Sequence, residues 1–301
     1  DIEGRGEYTY VARRISKQKQ MLAKDIPVTH APWYALDPED PRMIGYDYCT
    51  PDYVMGSLLI DPTLPRVSSH LYQEGQDLQE GYPALTSQNR YHGIVFASDV
   101  NARVVPQCEG IANGKTYGEQ QAVQHKNVLL VQRHAKAKTT GDIRVIWGGQ
   151  GMRSRLTEHS GWLIIKEGKA WLGVKGFSRT ELNTACGSTW DNNVILRMND
   201  GKAPVAFVAG RIKDFSDIDA FTKYLQGFAG KLENGRFILT EKSNDFLSLH
   251  LESGALPEIY GKPINLNPDM LFDSPFVSSM HGSGLVIIEK GYRKLKIDMG
   301  F

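Results

Sequence analysis

From Asp142 to the end of the chain, short apolar runs alternate with glycine-bearing turns, and this pattern leaves few folds open. Trp162-Leu163-Ile164-Ile165 faces Ala170-Trp171-Leu172-Gly173-Val174 across Lys166-Glu167-Gly168-Lys169. Val194 to Met198 is expected to meet Val205 to Ala209 across a turn that contains Asn199-Asp200-Gly201. Leu285 to Ile288 meets Leu295 to Met299 across Lys290-Gly291. Apolar runs joined in this way are the sequence mark of antiparallel hairpins. In the last strand Leu295, Ile297 and Met299 point one way and Lys294, Lys296 and Asp298 the other, so one face is wet. Strand signals at this density predict a mainly β protein, a large two-sheet antiparallel β-sandwich. No period of about 20–50 residues suggests a solenoid or propeller.

The earlier chain fits the same reading. Tyr53 to Ile60, Ala102 to Pro106 and Lys126 to Arg133 read as strands, the last enclosing the continuous run Val128-Leu129-Leu130-Val131. Gly110 to Gln124, rich in glycine and glutamine, reads as a loop. Two helices are expected. Tyr8, Val11, Ile15 and Leu22 recur at helical spacing over residues 7–24, and Pro27 and Pro32 stop that helix. Ile218, Phe221, Leu225 and Phe228 make a second stripe, with Ser216 as its cap and Gly227 or Gly230 at its end. That helix should cover an open end or edge of a sheet. From Ala31 to Pro51 the chain reads as irregular. The predicted organisation is a helical and irregular segment over 1–44 followed by a β-sandwich domain over 45–301.

Composition narrows the function. Lysine plus arginine number 35 and aspartate plus glutamate 34, for a net charge of +1. That balance argues against wholesale electrostatic binding of nucleic acid or an anionic membrane. No apolar run reaches the roughly 18 residues that span a bilayer as a helix. Cys49, Cys108 and Cys186 form no C-x-x-C pair, leaving open one disulfide plus a thiol or three thiols. The chain has neither an initiator methionine nor a signal-peptide pattern, so it is expected to begin within a longer or processed protein.

The stretch most suited to chemistry is Ser87-Gln88-Asn89-Arg90-Tyr91-His92-Gly93, followed by the apolar run Ile94 to Ala97. A strand that starts polar and ends apolar has one end at a surface. On it Arg90 and His92 share one face, and Asn89 and Tyr91 the other. Arg90 can grip a carboxylate through two parallel hydrogen bonds. His92 can act as acid or base near neutral pH. Taken alone, these residue types fit a structural role better, with Arg90 and His92 satisfying loop carbonyls and Tyr91 filling a corner.

Other candidates are weaker. Gly148 to Arg155 lacks the spacing of a phosphate-binding loop, although Arg153 and Arg155 could line an anionic cleft. His125 and His134 project to opposite faces, which disfavours a shared metal. His159 is expected in a turn, and His281 sits before the last hairpin. Trp147, Trp162, Trp171 and Trp190 could stack on sugar rings, but core packing suits those inside apolar runs. No metal or other cofactor is expected.

Several segments in order resemble one family. They are Thr50-Pro-Asp-Tyr-Val-Met-Gly-Ser57, Ser87-Gln-Asn-Arg-Tyr-His-Gly93, Gly161-Trp-Leu-Ile-Ile-Lys-Glu-Gly168 and Asp273-Ser-Pro-Phe-Val277. Gly282-Ser-Gly-Leu-Val286 and Lys294-Leu-Lys-Ile-Asp298 follow. Over about residues 45–301 the chain resembles the C-terminal β-sandwich region of heparinase II/III-like, six-hairpin carbohydrate enzymes. There an N-terminal (α/α) toroid precedes the sandwich. The resemblance implies a polysaccharide-degrading protein, often a lyase acting on uronic-acid polymers, secreted or periplasmic, with an acidic polysaccharide or oligosaccharide as partner. It implies catalytic roles for His92 and Tyr91, and substrate binding by Gln88, Asn89 and Arg90; an acidic chain would also suit the anionic cleft that Arg153 and Arg155 could line. One departure is that the chain has no room for the toroid, which would usually carry the base. Residues 7–24 would be the toroid's last helix and the toroid itself an upstream partner. A glycoside hydrolase of the same architecture, or a non-catalytic carbohydrate-binding or structural module, remains the alternative.

Overall fold

The computed structural model describes residues 26–30, 43–50, 52–60, 103–108, 120–133, 143–148, 156–178, 180–184, 194–198, 203–251, 253–265, 269–273, 276–280 and 282–300. The chain is mainly β, and among the described residues every strand pairing is antiparallel. The described chain opens with β1 (Ile26–His30), β2 (Met43–Cys49) and β3 (Val54–Ile60). Next come β4 (Arg103–Cys108), β5 (Gln120–His125), β6 (Val128–Arg133) and β7 (Ile143–Gly148). They are followed by β8 (Thr157–His159), β9 (Trp162–Glu167) and β10 (Ala170–Gly176). Then β11 (Thr180–Thr184), β12 (Val194–Met198) and β13 (Val205–Arg211) lead to helix α1 (Ile218–Leu225). After it run β14 (Phe228–Glu233), β15 (Arg236–Glu241), β16 (Asn244–His250), β17 (Glu258–Ile259) and β18 (Lys262–Pro263). The end is β19 (Met270–Asp273), β20 (Val277–Met280), β21 (Leu285–Lys290) and β22 (Arg293–Asp298).

Hydrogen bonding groups these strands into four ladders, in the orders β22-β21-β20-β19-β1-β2-β3, β5-β6-β13-β10-β9-β8, β11-β12-β7-β4 and β14-β15-β16-β17-β18. The hairpins β9–β10 and β21–β22 form as expected. The expected pairing of Val194–Met198 with Val205–Ala209 does not. β12 joins β11 and β7, whereas β13 joins β10 and β6. An Asn-Asp-Gly turn signal reports only a local reversal, and here the chain passes between ladders with Ala203 and Pro204 buried.

Two further expectations are corrected. Met43–Cys49 is a strand, not irregular chain, and Gln120–His125 is a strand, not a loop. β5 carries buried glutamines whose hydrogen bonds do the work that apolar contact does elsewhere. Gln124 Nε2 donates to the carbonyls of Met55 and Lys126, both at 2.9 Å. Gln121 Nε2 donates to the His250 carbonyl at 3.1 Å and to Gln132 Oε1 at 3.3 Å. A buried amide is affordable only when its donors are spent in this way.

Among the described residues α1 is the single helix. The expected helix over 7–24 lies outside them. Asp217, not Ser216, caps α1: its Oδ1 accepts from the Ala220 N–H at 2.8 Å, and Ser216 Oγ donates to its Oδ2 at 2.9 Å. The helix does not cover a sheet edge. It packs on the inner strands β10 and β13, where two glycines leave room. A Cβ on Gly173 would stand 2.6 Å from Leu225 Cδ1, and one on Gly210 2.8 Å from Phe221. Trp171 stacks on Phe221 at 5.8 Å with 20° between planes, and its indole N–H reaches the Phe215 carbonyl. Trp162 and Trp171 are thus core residues, as their place in apolar runs predicts. From Phe221 the rings of Tyr224, Phe228, Phe246 and Tyr260 follow in a chain, each 5.0 to 6.4 Å from the next. This line of rings ties the helix to the five-stranded ladder.

Candidate functional site

None of the residues put forward as catalytic or substrate-binding falls among the described residues. Gln88, Asn89, Arg90, Tyr91, His92, Arg153 and Arg155 all lie outside the described residues, as do His134, His281 and Trp190. His159 is described: it ends strand β8, and the turn begins one residue later at Ser160.

A polar constellation does form elsewhere, on the five-stranded ladder. In β15 the side chains of Phe237 and Leu239 enter the core, so Arg236 and Ile238 fall on the opposite face. In β16 Leu247 and Leu249 enter the core, and Ser248 and His250 take the opposite face. The register sets Arg236 opposite His250, and Ser248 opposite Glu258 of β17. Four polar side chains are therefore neighbours by pleat and pairing alone.

Glu258 is the centre of the group. Its Oε2 accepts from Arg236 Nη1 at 2.8 Å and from Ser248 Oγ at 3.1 Å. Its Oε1 stands 3.3 Å from His250 Nε2, which donates when that nitrogen carries the proton. The Glu258 side chain is 14% exposed and that of Arg236 31%. Beside them lies a small hollow of about 80 Å³, whose wall includes Ile238, Asp245, Phe246 and Gly261. Asp245 is itself paired, at 2.8 Å, with Lys231.

One turn borders the hollow. Tyr260 and Gly261 connect β17 to β18 with φ of 51° and 72°. Both angles belong to the left-handed region that a two-residue hairpin turn requires, and asparagine or glycine fits it best. A bulky side chain there costs on the order of 1–2 kcal/mol. The Tyr260 ring is 54% exposed, with Phe246 5.0 Å and His125 5.8 Å from it. Burial, and then the charge of Glu241, push its phenol pKa upward. His125 is pushed the other way, chiefly by burial and secondly by Lys126, so its neutral form is favoured.

The chemistry open to this group is recognition. Ser248 and His250 both address Glu258 and not each other, so no hydroxyl is activated by an imidazole as a nucleophile. Among the described residues no three His, Cys, Asp or Glu side chains gather to hold a metal ion. A carboxylate beside a guanidinium offers an acceptor and donors together.

Little in the sequence points to this group. Glu258 sits in a two-residue strand between Pro257 and Pro263, 22 positions from Arg236. The alternation of Phe246-Leu247-Ser248-Leu249-His250 was the one available signal. No family model matches the chain, and no curated protein matches it.

Proposed function

We propose that the chain is the β-sandwich part of a polysaccharide-degrading enzyme, a lyase that cleaves uronic-acid-containing chains by β-elimination. In this reading the four ladders stack as two layers, and an upstream (α/α) toroid completes the cleft. Arg90 and Asn89 neutralise the C5 carboxylate of the uronate, which acidifies the C5 proton. His92, with Tyr91 beside it, handles proton transfer, while Gln88, Arg153 and Arg155 hold the acidic chain.

One observation supports this reading. The segments that carry the family resemblance, where they are described, are integral parts of antiparallel ladders. Thr50 to Ser57 turns the chain from β2 into β3. Thr50 Oγ1 accepts from the Tyr53 N–H at 2.9 Å and donates to the Tyr53 carbonyl at 2.9 Å, while Met55 and Ser57 are buried. Gly161 to Gly168 supplies β9, Gly282 to Val286 opens β21, and Lys294 to Asp298 forms most of β22. Such segments set a framework, and a family keeps its framework in order along the chain.

The test is incubation with alginate, heparin, hyaluronan and pectin, followed by ultraviolet absorbance of the unsaturated uronate that β-elimination leaves. Absorbance should rise on one of them. His92→Ala or Arg90→Ala should then lower the rate by roughly 10²–10⁴-fold, the usual contribution of a general acid or base. Parent-level activity in both variants would overturn the assignment. New reducing ends without that absorbance would make the protein a hydrolase.

A further inference from the structure

We propose that β22 is a self-association edge, where two copies of this chain join antiparallel across a two-fold axis at Ile297. The inference stands apart from the lyase reading. Among the described strands β22 has one neighbour, β21, so its other side carries unpaired backbone groups. The ladder shows which ones. Met299 N–H donates to the Gly284 carbonyl at 2.7 Å, and the pairing alternates from there. Arg293, Leu295 and Ile297 therefore turn their N–H and C=O toward β21, and Lys294, Lys296 and Asp298 turn theirs outward. Side chains follow the strand's own alternation, with Leu295, Ile297 and Met299 on one face, 56%, 38% and 55% exposed.

Lysines on an edge ordinarily keep the strands of separate molecules apart. Here the order of the charges favours one pairing. A two-fold axis must set outward backbone groups against outward ones, so it passes through a residue of the strand. Centred on Leu295, Lys294 would face Lys296 of the second copy. Centred on Lys296, two ammonium groups would meet, and centred on Asp298, two carboxylates. Centred on Ile297, Lys296 faces Asp298 twice and Leu295 faces Met299 twice, while the Ile297 side chains meet on the axis. Both charges are at hand. Lys296 has no ion-pair partner among the described residues, whereas Lys294 is taken by Glu289. Asp298 Oδ1 accepts from the Gly300 N–H at 2.9 Å, which leaves Oδ2 for a cation. The two Lys296–Asp298 positions exchange four backbone hydrogen bonds, and the apolar stripe runs on from one copy to the next. A single strand edge buries less than a standard interface, so the dimer is weak, with a dissociation constant on the order of 10–100 µM.

The test is analytical sedimentation of the whole chain at low salt, from about 1 to 300 µM. The parent should pass from one chain toward two. Lys296→Asp and Asp298→Lys each set like charges opposite one another at both places, and each should weaken dimerisation about tenfold or more. The double variant exchanges the two charges and keeps the parent's net charge. It dimerises as the parent does only if these residues face each other across the axis. Both positions are exposed, so circular dichroism and urea midpoints of all three variants should stay close to the parent's. A parent that remains single over this range overturns the inference and leaves the edge to a strand of other origin. So does a dimer that both single variants leave intact, or one that the double variant fails to restore.

Discussion

At the scale of single residues, this fold depends on polar side chains that sequence patterns undervalue. Gln121 and Gln124 are 1% exposed and make a strand of what composition presents as a loop. His125, at the end of that strand, stands edge-on to Phe246 and Tyr260. Burial and Lys126 lower its pKa below the ordinary value of 6.5, so the folded protein binds its proton less readily than the unfolded chain does. The stability linked to this group is therefore complete above the unfolded value and is lost as the pH falls below it toward the folded pKa. Urea midpoints taken from pH 8 downward should fall faster for the parent than for His125→Phe, which has nothing to titrate there. Parallel curves would show that His125 carries no such linkage. The residues proposed for catalysis, His92 and Tyr91, were legible only as types and order.

At the scale of elements, turns and faces were legible to different degrees. Tight hairpins such as β9–β10 and β21–β22 could be read because their turn residues and flanking runs are adjacent in the chain. The crossing from β12 to β13 could not, since a turn signal says nothing about which neighbour a strand will choose. The stripe of α1 was plain, but its seat over Gly173 and Gly210 follows from what those glycines lack. The β15–β16 turn offers a test of turn chemistry. Lys242 and Ser243 both hold positive φ, 49° and 70°, and both are exposed. Ser243→Gly should raise unfolding stability by roughly 0.5–1 kcal/mol, since glycine adopts this angle without the strain of a Cβ. An unchanged or lower denaturation midpoint would contradict this account of the turn.

At the scale of the whole molecule, stability is unevenly spread. β13 is buried along nearly its full length, with Phe207 fully enclosed. β22, at the end of the seven-stranded ladder, is exposed throughout, with Leu295 56% and Ile297 38% accessible. Phe207→Ala should cost about 3–5 kcal/mol, as removal of an enclosed aromatic ring usually does. Leu295→Ala should cost under about 1 kcal/mol, in line with changes at exposed positions. Equal losses in the two variants, read by urea unfolding, would show that the apolar face of β22 is covered in solution.

Alternation and turn residues along the chain determined that it would be a β protein of antiparallel hairpins with an amphipathic helix through Ile218, Phe221 and Leu225, because those signals act between residues a few positions apart. Only tertiary structure decided which strands became neighbours, where the helix would rest, and that Arg236, Ser248, His250 and Glu258 would meet around one carboxylate. Those outcomes depend on contacts between distant parts of the chain, whose energies appear only once the strands are paired.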